Sequence, residues 1–65
     1  MKRDQFIREL RKECKARGWT IVVDVKMGKG SHYEIRTSNG RRTTLKSGEL
    51  SPIYMNLVRG QLGLR

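Results

Sequence analysis

Residues 31–46 read SHYEIRTSNGRRTTLK, and this stretch determines how the rest of the chain is arranged. Apolar and polar side chains alternate from Ser31 to Thr37, which is typical of a half-buried strand, and Arg41 to Lys46 follow as a further strand. Ser38-Asn39-Gly40 lies between the two segments and is a strong hairpin signal. The stretch therefore predicts an antiparallel hairpin.

The length of the turn decides which side chains of this hairpin face the core. A two-residue turn would place Leu45 opposite Glu34. A three-residue loop, with Gly40 in the left-handed conformation, places Leu45 opposite Tyr33 instead. Because a shift of one residue moves every side chain of a strand to the other face, the need to bury Leu45 favours the three-residue loop.

A further strand is predicted before the hairpin. β-Branched residues alternate in the segment Thr20–Met27. Gly28-Lys29-Gly30 then turns the chain, and as a three-residue loop it places Val23 and Val25 on the face that carries Ile35. Three antiparallel strands with one apolar face follow from this pairing.

An amphipathic helix is predicted before the strands, with Asp4 as its N-cap, an end near Arg17 and Gly18 as the left-handed stop. Its apolar stripe consists of Phe6, Ile7, Leu10 and Cys14. Cys14 follows the spacing of the core residues, so it is interpreted as a packing residue and not as a nucleophile.

A second helix is predicted after the strands, with Ser51 as its cap, Pro52 at its first position and Gly63 at its end. The residues at helical spacing are Ile53, Tyr54, Leu57, Val58, Gln61 and Leu62. The fold class is therefore α+β, with the order α-β-β-β-α and both helices on one face of a three-stranded antiparallel sheet. Residues 1–65 form one domain.

The charge of the chain points to its partners. It has 65 residues, a formal net charge of +9 and a sequence pI near 10.7. Such an excess of cations is typical of domains that bind nucleic acid. A basic surface that only keeps a small protein soluble is the alternative.

Other classes of protein are excluded by what the sequence lacks. One cysteine cannot form an internal disulfide, and one cysteine with one histidine falls far short of a zinc site. There is no signal-peptide pattern and no apolar run long enough to span a membrane. The chain is expected to be cytoplasmic and to need neither a metal nor a cofactor.

The single histidine, His32, is the candidate catalytic residue, because imidazole can take and give a proton near neutral pH. The preferred register places it on the open face of the sheet, between Lys26 and Lys46. Arg36 and Arg42 pair further along the same face. A proton-transfer group among cations favours chemistry on a polyanion, although an idle exposed histidine is the alternative.

Several segments of the chain are similar, in order and spacing, to the HicA toxins of bacterial and archaeal toxin–antitoxin modules. They are Gly18-Trp19, Lys29-Gly30-Ser31-His32-Tyr33, Gly40-Arg41-Arg42-Thr43-Thr44 and Leu57-Val58-Arg59-Gly60-Gln61-Leu62-Gly63-Leu64. The resemblance implies a fold like the double-stranded-RNA-binding domain and an RNase that cleaves mRNA and arrests growth. It also implies a HicB antitoxin that covers the active site, and it assigns the family's essential histidine to His32.

The chain departs from many members of that family after the third strand, where a Pro-His pair often follows. Thr44-Leu45-Lys46-Ser47 stands there, so a two-histidine scheme is excluded. In the resulting hypothesis His32 acts alone on the proton chemistry and cations hold the phosphate. The candidate RNA-binding residues are Lys26, Lys29, Gly30, Ser31, Arg36, Arg42 and Lys46.

Two other functions remain open. The first is a non-catalytic RNA-binding module, although the start of the second helix, Ser51-Pro52-Ile53-Tyr54, lacks the cations that would favour duplex binding. The second is a basic surface that docks an acidic protein partner.

Overall fold

Two helices and three strands are present in residues 1–25 and 32–65, the part of the chain that the computed structural model describes. Their bounds are α1 Arg3–Ala16, β1 Ile21–Asp24, β2 Tyr33–Thr37, β3 Arg42–Leu45 and α2 Pro52–Gln61. The strands form one antiparallel sheet in the order β1-β2-β3. The predicted α-β-β-β-α order and antiparallel sheet are confirmed.

The β2–β3 hairpin has the register that the three-residue loop predicts. Tyr33 lies opposite Leu45, and Gly40 has a φ of +88°. The amide of Thr37 donates a hydrogen bond to the carbonyl of Arg41 at 2.9 Å, which closes the strand pair at loop 38–40. Leu45 is fully buried as a result.

Strand β1 is shorter than the sequence pattern predicts. Val23 lies opposite Ile35 as expected, but the strand ends at Asp24. Val25 lies beyond the strand and is 55% exposed, so the prediction that it faces the core is wrong. The last described pair of the two strands is Asp24 with Glu34, so the ladder does not continue to Val25. The predicted positions of Met27 and of turn 28–30 lie outside the described residues.

One core lies between the two helices and the inner face of the sheet. Its buried residues are Phe6, Ile7, Leu10, Cys14, Ile35, Leu45, Leu50, Val58, Leu62 and Leu64. Because both helices contribute to this one core, both cover the same face, as predicted. The other face of the sheet remains uncovered, and its exposed residues include Val22, Arg36, Arg42 and Thr44.

Helix α1 begins earlier than predicted. Lys2, not Asp4, is its N-cap, and the Lys2 carbonyl accepts the first helical hydrogen bond. Lys2 also forms a β-bridge with Glu49, which holds the start of the chain extended. Asp4 lies in the first helical turn, where a negative charge is favourable. Gly18 has a φ of +74° and ends the helical segment as expected.

The limits of helix α2 agree with the sequence pattern. The Ser51 hydroxyl accepts a hydrogen bond from the Tyr54 amide at 3.1 Å, which satisfies an N-terminal donor of the helix. Pro52 is the first helical residue, and Gly63 has a φ of +79° just beyond the end. These caps confirm the predicted start and stop.

The buried face of α2 includes only some of the residues at helical spacing. Ile53 is 84% exposed and Leu57 is 57% exposed, so neither of them lies at the core. Val58 and Leu62 are buried, and Tyr54 is packed against the core. An amphipathic helix on a sheet buries one stripe of residues. In α2 that stripe contains Val58 and Leu62, each later in the chain than the exposed Ile53 and Leu57.

Candidate nucleic-acid interface

His32 is exposed and directly precedes β2. The next residue, Tyr33, packs against the core, where the Arg3 guanidinium lies 3.6 Å from the centre of its ring. Its exposure agrees with the prediction that His32 lies on the uncovered side of the sheet, which extends strand alternation one residue before β2. The imidazole is thus accessible to a large substrate, which a catalytic group acting on a polymer requires.

Arg36 and Arg42 are cross-strand partners on the uncovered face, as predicted. Two carboxylates share this region, because the Arg36 guanidinium lies 3.8 Å from oxygens of both Asp24 and Glu34. The carboxylates offset much of the charge of Arg36. Arg42 is therefore the better placed of the two arginines to attract an external anion.

Lys46 follows β3 at the end of the sheet where His32 precedes β2. Its backbone amide donates to the Tyr54 hydroxyl at 3.1 Å, and its ammonium lies 4.8 Å from the centre of the Tyr54 ring. This contact directs Lys46 toward α2. Its proposed contact with RNA stays a prediction, and so do those of Lys26, Lys29, Gly30 and Ser31, which lie outside the described residues.

A groove of about 680 Å³ runs along the free edge of β3 beside the end of α2. Its lining residues are Glu34, Arg41, Arg42, Thr43, Thr44 and Gln61. Of these, only Arg42 was among the predicted RNA-binding residues. The consecutive arginines at the start of an edge strand were the available signal for Arg41, whereas Gln61 joins the groove only through the packing of α2.

Among residues 1–25 and 32–65, three groups have perturbed pKa values, and all three have structural roles. Burial raises the pKa of the Cys14 thiol, which agrees with its interpretation as a packing residue. A hydrogen bond from the N-terminal amine lowers the pKa of Glu49. A hydrogen bond to Glu13 raises the pKa of Arg59. None of the three lines the groove or adjoins His32 in sequence.

No group of three or more histidine, cysteine or acidic side chains among residues 1–25 and 32–65 is placed to hold a metal ion. Neither helix of this part of the chain has the length and apolar character that crossing a bilayer requires.

Comparisons of the chain with protein-family models, with curated proteins and with solved structures found no match. Function must therefore be inferred from the residues of the site and their placement.

Proposed function

We propose that this chain is an endoribonuclease of the HicA type, the toxin of a toxin–antitoxin pair, with a fold like the double-stranded-RNA-binding domain. It would act on mRNA in the cytoplasm. The observation that carries the proposal is the exposed position of His32 beside the uncovered face of the sheet, in a chain of net charge +9. A solvent-accessible imidazole on a cationic domain fits a polyanionic substrate that carries its own nucleophile.

RNA supplies that nucleophile in its 2′-hydroxyl group. In the proposed step His32 accepts the 2′-OH proton while the 2′-oxygen forms a bond to the adjacent phosphorus. The bond from phosphorus to the 5′-oxygen breaks, and the leaving oxygen takes a proton from the imidazolium or from water. The products are a 2′,3′-cyclic phosphate and a 5′-hydroxyl end. One general acid–base group is enough for these reaction steps, and such a group raises the rate by about 10²–10⁴-fold.

Cations near the scissile phosphate would stabilise the charge that develops on its oxygens. Lys26, Lys29 and Lys46 are the proposed residues for this role. The net positive charge of the chain also raises the local concentration of RNA around it. The His32 imidazole then needs only to be positioned within hydrogen-bond reach of the 2′-hydroxyl.

The mechanism is tested with two versions of one RNA oligonucleotide. The purified chain is incubated with an end-labelled RNA that it cleaves and with the same RNA carrying a 2′-deoxynucleotide at the cleavage position. We expect the first to give a 2′,3′-cyclic phosphate and the second to stay intact at that position. Cleavage of both at equal rates would contradict the use of the 2′-hydroxyl.

The second partner in the proposal is a HicB-like antitoxin. Such a protein would cover His32 and exclude RNA from the uncovered face. The test is co-expression with an acidic reading frame that adjoins this one. We expect a complex that does not cleave RNA and regains cleavage when the partner is removed. A neighbouring product that neither binds nor inhibits the chain would contradict this pairing.

A non-catalytic RNA-binding module is the second candidate. It is favoured by the groove, which collects Arg41 and Arg42 at the end of the sheet away from His32. Such a module would bind RNA with the same affinity after His32→Ala and would give no cleavage products in either form. Cleavage that depends on His32 would exclude it.

A further inference from the structure

We infer that the groove between β3 and α2 is a binding subsite for the sugar-phosphate backbone of single-stranded RNA, separate from His32. Its walls come from different parts of the fold, with Arg42 and Thr44 on the edge strand and Gln61 at the end of α2. The inference names the backbone-binding part of the proposed RNA site, so it shares the RNA ligand with the proposed function. It does not need catalysis.

The two guanidinium groups of the groove are available to an anion. In the part of the chain that the structure describes, no carboxylate lies within ion-pair distance of Arg41 or Arg42. Arg36 and Arg59, in contrast, both contact carboxylates. Guanidinium groups bind phosphate oxygens through paired N–H donors, which makes neighbouring free arginines a suitable phosphate clamp.

The position of Arg41 is fixed by the fold. Its carbonyl accepts from Thr37, and its side chain lies beside Gly63 at the end of α2, where a Cβ on the glycine would be 3.9 Å from it. The neighbouring Asn39 side chain donates to the carbonyl of Leu62 at 3.0 Å. The turn and the helix end therefore hold the backbone of this groove wall in place.

The free edge of β3 adds neutral donors to the groove. Because Arg41 pairs with Thr37 through a hydrogen bond, alternation along the strand directs the backbone groups of Arg42 and Thr44 away from β2. The Tyr54 hydroxyl donates to the Thr44 carbonyl at 3.4 Å, which occupies one acceptor of this edge. The amides of Arg42 and Thr44 remain directed outward, and backbone amides are common ligands of phosphate oxygens.

The inner wall of the groove is held by a contact between strand and helix. The Thr43 hydroxyl donates to the side-chain carbonyl of Gln61. This bond uses the acceptor of the Gln61 amide and leaves its NH₂ donors for a ligand. The groove therefore combines two cations with amide donors, as expected for recognition of a phosphate backbone.

Glu34 adds a negative charge to the groove that the two arginines make positive. Its carboxylate lies 3.8 Å from Arg36, and the residue lines the groove together with the free arginines. A phosphate is repelled there and is attracted to Arg41 and Arg42, whereas a carboxylate accepts hydrogen bonds from a ribose hydroxyl or a base amino group. The groove thus fits a nucleotide strand better than a uniformly anionic polymer.

The arginine end of the subsite lies at the end of the sheet away from His32, whereas its Glu34 and Thr44 end lies nearer to His32. Arg42 and Lys46 are four positions apart, which corresponds to roughly 13 Å along an extended strand. Lys46 follows β3 at the end of the sheet where His32 precedes β2. A stacked strand rises 3.4 Å per nucleotide, so a ligand of roughly four nucleotides or more is needed to reach both Arg42 and His32. We expect the groove to hold the strand while His32 contacts a phosphodiester several nucleotides away.

The test measures the binding of a fluorescent 12-nucleotide single-stranded RNA to the full chain by anisotropy. Arg41→Ala with Arg42→Ala is compared with Arg8→Ala and Arg11→Ala, two exposed arginines of α1 that give the same change in charge. We expect the groove variant to weaken binding at least tenfold and the α1 variant no more than about twofold. In a plot of log K against log salt concentration, the slope of the groove variant should be smaller in magnitude by about 1.4, which is about 0.7 for each lost phosphate contact.

Two further measurements separate this inference from the proposed nuclease activity. His32→Ala should bind the 12-nucleotide RNA with an affinity within about twofold of the parent. Loss of cleavage without loss of binding in this variant would support a binding subsite separate from His32. A trinucleotide, which is long enough to occupy the groove alone, should bind the parent more tightly than the groove variant. Equal losses of 12-nucleotide RNA binding in the groove and α1 variants would overturn the inference. So would a groove variant that loses binding to an acidic peptide and keeps binding to RNA.

Discussion

Arg59 of α2 donates to both carboxylate oxygens of Glu13 in α1, from Nε at 3.1 Å and from Nη2 at 2.9 Å. Nη2 also lies 3.3 Å from the carboxylate of Glu9, and the guanidinium is 5.0 Å from the centre of the Phe6 ring. The hydrogen bond to Glu13 holds the pKa of Arg59 above its usual value. The two helices that cover the sheet are thus joined by one partly buried cation.

Replacing Arg59 with Ala should lower the free energy of unfolding by about 2 kcal/mol, because hydrogen bonds to charged groups are lost and two carboxylates are left together without a cation. Urea denaturation followed by circular dichroism measures the change. Arg8→Ala, at an exposed position of α1, is the control and should stay within about 0.5 kcal/mol of the parent. Equal midpoints for both variants would show that the contact adds nothing to stability.

Two glycine substitutions should change stability in opposite directions. Gly40 has a φ of +88°, so Gly40→Ala should cost about 1 kcal/mol or more through backbone strain. Gly60 lies inside α2 with no atom within 4 Å of an added Cβ, so Gly60→Ala should stabilise by about 0.5–1 kcal/mol. Thermal unfolding of both variants checks the pair. Stabilisation by Gly40→Ala would contradict the loop geometry on which the hairpin register depends.

The hairpin could be predicted from the sequence because its register depends on local features. Gly40 supplies the left-handed residue of the loop, and only one register buries Leu45. The exposed face of α2 could not be predicted in the same way. Ile53 and Leu57 have the correct helical spacing, but the rotation of the helix is set by how Val58 packs over the sheet.

The candidate site could likewise be predicted only in part from the sequence. His32 could be found by residue type and by strand alternation, and the pairing of Arg36 with Arg42 followed from the register. The groove could not be found, because Arg41 and Gln61 are 20 positions apart and come together only when α2 packs beside β3. The contacts of Arg36 with Asp24 and Glu34 could not be predicted either, because strand alternation sets the face of a side chain and not its ion-pair partner.

Cys14 should be unreactive toward thiol reagents in the folded chain. It is fully buried, and burial raises the pKa of its thiol. A raised folded-state pKa favours the neutral thiol, so this contribution to stability is complete below the unfolded-state pKa. It is lost as the pH rises through the folded-state value. Labelling with an aromatic disulfide at pH 8 should be slow without denaturant and fast in urea.

One labelling result would contradict the buried position of Cys14. Fast labelling of the folded chain would place the thiol at the surface and contradict its position in the core. Cys14→Ala is the matched variant for stability. It should unfold at a lower temperature, and it should lack the decrease in stability at high pH that ionisation of the thiol causes.

The most direct measurement compares RNA cleavage rates of the parent and His32→Ala at equal protein concentration. Because His32 is exposed, both proteins should have the same unfolding midpoint and bind the 12-nucleotide RNA alike. We expect the variant to cleave about 10²–10⁴-fold more slowly and to recover part of the rate when free imidazole is added. Cleavage by His32→Ala at the parental rate would contradict the assignment of His32 as the proton-transfer group.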